Sequence, residues 1–158
     1  MKKHFQPGFT MLVLIAILSI LFVVPTALAS PPLDVHIEVL ATIDPAPDAF
    51  VASGPAVDVG LLCSTGYQYE LSVETSGPPA GDFFMLKVVK QFVCDDGSGT
   101  FDLKLVVRLD LIDSSTTAHW NVLAGTGAYA GLHGNGDLVG IPLDPGVSIV
   151  DLYDGRIH

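Results

Sequence analysis

Positive charge is scarce in this chain. Its 158 residues carry seven Lys and Arg against 17 Asp and Glu, a formal net charge of −10. Such a surface repels phosphate backbones and anionic headgroups, so nucleic acid is not expected as a partner. Cysteine is nearly absent as well. The two present, Cys63 and Cys94, form no C-x-x-C pair and join no Cys/His cluster, so neither a zinc site nor any other metal centre is expected. The chain lacks a G-x-S-x-G elbow and both G-x-G-x-x-G and G-x-x-x-x-G-K-[ST] loops. These absences remove the nucleophile-elbow hydrolases and the common nucleotide sites, and the composition implies no cofactor. Beyond residue 29 no segment repeats its apolar residues every 3.6 positions, so long amphipathic helices are excluded there.

What is present starts with an export pattern. Lys2 and Lys3 precede an apolar run from Met11 to Val24 that only Ser19 interrupts. Pro25 ends that run, and Ala27-Leu28-Ala29 sets small residues where a signal peptidase cuts. The pattern predicts a signal helix over residues 1–29, removed on export, and one domain over residues 30–158. The competing reading, an uncleaved anchor, needs about 20 apolar residues to span a bilayer. Stable membrane insertion after cleavage is therefore not expected, and the mature protein belongs outside the cytoplasm, secreted or on the cell-envelope exterior. Lys2 and Lys3 leave with the signal, so five Lys and Arg would face 17 Asp and Glu in the remaining chain. In an oxidising compartment two lone cysteines are expected to pair, the alternative being two buried thiols.

The remaining chain reads as strands. Phe101, Leu103, Leu105, Val107, Leu109 and Leu111 alternate with Asp102, Lys104, Arg108 and Asp110, and only Val106 breaks the pattern. A period of two over that length is a strand, because a helix would scatter the charges around its axis. Phe83 to Cys94 precedes it across the turn Asp95-Asp96-Gly97-Ser98-Gly99, which predicts an antiparallel hairpin. Further strands are expected at Leu33–Thr42, Val57–Cys63, Tyr67–Glu74, Thr117–Leu123, Asp137–Ile141 and Val147–Tyr153. About eight strands at this spacing predict an all-β sandwich or closed barrel.

Trp120, the glycine-rich stretch Gly125-Thr126-Gly127-Ala128-Tyr129-Ala130-Gly131-Leu132-His133-Gly134-Asn135-Gly136, and Val150-Asp151-Leu152-Tyr153-Asp154-Gly155-Arg156 follow one another in order. Together with the turn Asp96-Gly97-Ser98-Gly99-Thr100-Phe101, they resemble the allene oxide cyclase-like and dirigent-like group, especially its secreted bacterial members. The resemblance covers roughly Cys63 to His158. It implies an antiparallel eight-stranded β-barrel with an apolar interior, which in eukaryotic relatives holds or steers a reactive small molecule. The polar residues that act in those relatives find no matching positions here, so no catalytic residue is assigned. Gly125, Gly127, Gly131, Gly134 and Gly136 are expected to be structural, allowing tight turns, bulges and barrel bending.

Other candidates are weaker. Asp95 and Asp96 suggest calcium, but the alternating oxygen ligands of an EF-hand are missing and acids are common in hairpin turns. His36, His119 and His133 can be combined with many hydroxyls and acids, and nothing orders such a triad. Trp120, Tyr129 and Tyr153 are candidates to line a lumen. Arg108, Asp102 and Lys104 would tune a pocket only if the Phe101–Leu111 row faced outward. Two functions follow: a secreted non-catalytic binding or structural module, or an isomerase, cyclase or carrier for a small apolar ligand inside the barrel. A lumen of a few hundred Å³ with one or two buried polar groups would favour the second, and a filled lumen the first.

Overall fold

The computed structural model describes residues 31–42, 47–77, 81–144 and 146–158. The expected signal segment lies outside the described residues. Among the described residues the order is β1 (Leu33–Thr42), β2 (Asp48–Ser53), α1 (Pro55–Asp58), β3 (Thr65–Thr75), β4 (Phe83–Cys94), β5 (Thr100–Asp110), β6 (Thr116–Gly125), a 3₁₀ turn (Gly127–Tyr129), β7 (Gly134–Asp144) and β8 (Ser148–Ile157). Each strand pairs antiparallel with the next, and β8 returns to β1 from Leu33↔Ile157 to Thr42↔Ser148. Among the described residues the sheet is a closed barrel and leaves no edge strand to recruit another chain.

The alternating pattern of β5 sets its register. Phe101, Leu103, Leu105 and Val107 are buried in the interior, while Lys104, Val106 and Arg108 face solvent. Leu111, expected on the same row, lies past the strand end and is exposed in the β5–β6 hairpin. The expected strand over Val57–Cys63 does not form. Gly54, at φ 101, and Pro55 in the first helical turn start α1 instead, and the second strand is Asp48–Ser53. A proline-led turn cannot continue a ladder, so the apolar residues Ala56 and Leu62 pack across the end of the barrel.

That end is closed. Phe50, Phe92 and Phe101 fill the interior, with Phe92 and Phe101 stacked at 4.9 Å and Phe50 edge-on to Phe92 at 5.3 Å. Tyr129 of the 3₁₀ turn packs edge-on to Phe101 at 5.7 Å from outside the strands. Cys63 and Cys94 are joined by a disulfide with a Cα–Cα distance of 6.0 Å, pinning the α1 loop to the end of β4. Trp120 lies inside and occupies the space left by Gly136 on β7 and Gly155 on β8, where any Cβ would meet its indole. Its Nε1 donates to the Asp137 carbonyl at 3.0 Å. An eight-stranded barrel has an interior only wide enough for side chains or one small ligand, so these rings fill their half but for a void of about 10 Å³ between Phe101 and Trp120.

Candidate functional site

The other half is not filled. On this side of β1, β4, β5 and β7 the inward residues are smaller aliphatics, among them Ala41, Val88, Leu105, Val107, Leu109 and Leu138. They enclose a cavity of about 430 Å³ that opens between the β5–β6 and β7–β8 hairpins, past Ser114, Gly146 and Val147. This size lies within the range of clefts that take up a whole small ligand.

The floor of the cavity is polar. Lys90 lies on the inward row of β4 between Val88 and Phe92, and Asp151 on the inward row of β8 between Ile149 and Tyr153. The Lys90 ammonium donates to Asp151 Oδ2 at 2.8 Å and to the Tyr153 hydroxyl at 3.2 Å. The Tyr153 hydroxyl in turn donates to Gln68 Oε1 at 2.8 Å. The four side chains come from β3, β4 and β8, and Tyr153 meets Phe92 edge-on at 5.7 Å, joining the polar floor to the aromatic core. Both ions are nearly enclosed, with side-chain exposures of 12% for Lys90 and 7% for Asp151. Burial disfavours the Lys90 ammonium, but the Tyr153 oxygen and the Asp151 carboxylate outweigh it and hold its pKa above the ordinary lysine value. Burial also raises the Tyr153 pKa, against the opposing pull of Lys90.

Glu70 completes the wall. It is the register partner of Lys90 across β3 and β4, and the ladder shifts just after it, leaving Leu71 as an extra residue. A bulge of this kind bends a strand at a barrel rim and re-aims the neighbouring side chain. Five aspartates, Asp48, Asp82, Asp110, Asp113 and Asp144, belong to the strand ends and loops at this open end. Among the described residues, Asp110 of this group has a cation within ion-pair reach, Arg108 at 3.5 Å.

The residues singled out from sequence are dispersed. None of the three aromatic lumen candidates lines the cavity: Tyr153 is buried beneath its floor, bonded to Lys90, and Trp120 and Tyr129 belong to the packed closed half. Asp102, Lys104 and Arg108 face outward. Asp102 accepts from Gln91 at 3.1 Å, and the Arg108 guanidinium lies 4.6 Å from the centre of the Phe83 ring. The histidines do not converge: His36 pairs with Asp154 at 2.7 Å and His119 with Asp137 on the outer face, while His133 lies at the closed end beside His158. Asp96 accepts from the Ser98 amide at 2.8 Å and from its hydroxyl. These bonds lower its pKa and account for it as a turn residue. Among the described residues no three His, Cys, Asp or Glu side chains gather as metal ligands.

The glycines differ from one another. Gly127 has φ 59 and opens the 3₁₀ turn, with the Ser98 carbonyl where a Cβ would stand. Gly125, Gly134 and Gly136 are extended residues crowded by neighbouring backbone. Gly131 has open space around it and an ordinary φ, so no steric demand for glycine exists there. The ladder irregularities fall at Leu71, Leu123 and Leu143, so the bulges are not at these glycines.

Sequence reasoning missed Lys90, Asp151, Gln68 and Glu70. The available signal was a polar residue in phase with buried neighbours, Lys90 between Val88 and Phe92 and Asp151 between Ile149 and Tyr153. Compared with known protein families, curated proteins and solved structures, the chain shows no significant match.

Proposed function

We propose that this protein is a binding module of the extracytoplasmic space that carries a small, largely apolar molecule in the open half of its barrel. The observation behind this reading is the mostly aliphatic cavity of about 430 Å³ floored by the Lys90–Asp151 pair, with Tyr153 bonded to Lys90 beneath it. A carrier is favoured over an isomerase because Lys90 and Tyr153 are both held protonated, making them fixed hydrogen-bond donors rather than proton acceptors. The disulfide is compatible with export from the cytoplasm, in keeping with the signal pattern of residues 1–29. The closed eight-stranded antiparallel barrel supports the proposed kinship with the allene oxide cyclase-like and dirigent-like group.

The test uses the exported, disulfide-bonded protein and the neutral fluorophore N-phenyl-1-naphthylamine. Saturable binding with enhanced fluorescence is expected. Leu109→Trp, which fills the cavity near its mouth from a half-buried position, should abolish binding and leave the fold intact. Binding that survives Leu109→Trp would remove the lumen as the site.

A further inference from the structure

We infer that the lumen selects an uncharged ligand bearing an oxygen acceptor, such as a ketone, aldehyde or ester on an aliphatic body, and rejects fatty-acid anions of the same length. The inference rests on the lumen-binding reading and concerns what its polar floor recognises.

An ammonium has three N–H donors. Lys90 spends one on Asp151 and one on Tyr153, and its side chain borders the cavity. The third donor is therefore available to a ligand oxygen arriving from above. Most of the lining around that donor is aliphatic, Val88, Leu105, Val107 and Leu138 among it, so an acceptor there gains a charge-assisted bond in a poorly solvated setting. The lumen does not offer a spare positive charge. Asp151 already neutralises Lys90 at 2.8 Å, and Glu70, the register partner of Lys90, adds a further carboxylate to the same cavity. The charged groups lining the cavity are thus one cation and two anions. A bound carboxylate would have no counter-charge left, and burying an uncompensated ion is strongly unfavourable. The aspartates of the open end repel an anion before it enters.

The experiment compares 2-decanone and decanoate by calorimetry on the disulfide-bonded protein at neutral pH. The ketone should bind at least about ten-fold tighter than the anion. Decanoate binding as tightly as the ketone overturns the inference and leaves the lumen reading standing. Failure of both together with N-phenyl-1-naphthylamine overturns both readings. Glu70→Gln, at an exposed position, should narrow the gap between ketone and decanoate several-fold, and an unchanged gap counts against the charge argument. Lys90→Met alone strands a buried carboxylate, so the informative variant is Lys90→Met with Asp151→Leu. It should keep a cooperative urea transition and lose about ten-fold in affinity for 2-decanone. Undiminished ketone binding in that variant would show that Lys90 is not the recognising donor.

Discussion

Lys90 and Asp151 hold each other in place, and substitutions at the two should not add. Either ion alone in this site lacks its partner, and breaking a buried pair from one side costs about 3–5 kcal/mol. Lys90→Met should therefore lower the urea midpoint sharply, whereas Lys90→Met with Asp151→Leu should recover most of the loss by exchanging the pair for apolar volume. Additive losses in that cycle would mean that the two side chains act independently. The glycines give a second comparison at this scale. Gly127→Val forces a side chain into a left-handed backbone and against the Ser98 carbonyl, and should cost more than about 1 kcal/mol. Gly131→Val meets open space and should be close to neutral. Equal melting temperatures for the two variants would contradict this difference.

Among elements, the disulfide acts on the closed end. Cys63 follows α1 and Cys94 ends β4, and they are 31 residues apart in the chain. Closing that loop stabilises the fold by about 3–4 kcal/mol in the chain-entropy treatment. Cys63→Ser with Cys94→Ser should lower the denaturation midpoint accordingly and free the α1 loop. The cavity lies at the opposite end, so the fluorophore affinity of the folded variant should stay within about two-fold of the parent. A large loss of affinity with the fold retained would couple the two ends, which the rigid layer of Phe50, Phe92 and Phe101 between them argues against.

For the whole molecule, pH acts through the buried floor. Lys90 and Tyr153 both have folded pKa values above their ordinary ones. Below about pH 10 each is protonated in the folded and the unfolded chain, and its contribution to stability is fully present. Above that, the unfolded chain releases these protons while the folded barrel keeps them, so stability falls as pH rises. The urea midpoint is expected to decline from about pH 10 upward, and the Lys90→Met, Asp151→Leu variant to decline less steeply. A midpoint that stays level to about pH 11 would contradict protonated burial of these groups.

Local pattern alone determined most of the strands, because period-two alternation is a property of neighbouring residues, but it misplaced the second, expected at Val57–Cys63 and formed at Asp48–Ser53. Phe101 to Leu109 against Lys104 and Arg108 announced both the strand and its inward face, and two lone cysteines in an export context announced the disulfide. The cavity was not legible in this way. Whether a barrel is hollow depends on the summed volume of side chains from eight strands at one height, and register between distant strands sets that sum. Lys90 looked like one polar residue in an apolar run, and Asp151 like one acid among 17. Only barrel closure, which brings β4 and β8 side chains together across the lumen, placed the ammonium 2.8 Å from the carboxylate. The same closure sent Trp120 into the gap left by Gly136 and Gly155, so one half was filled and the other left open.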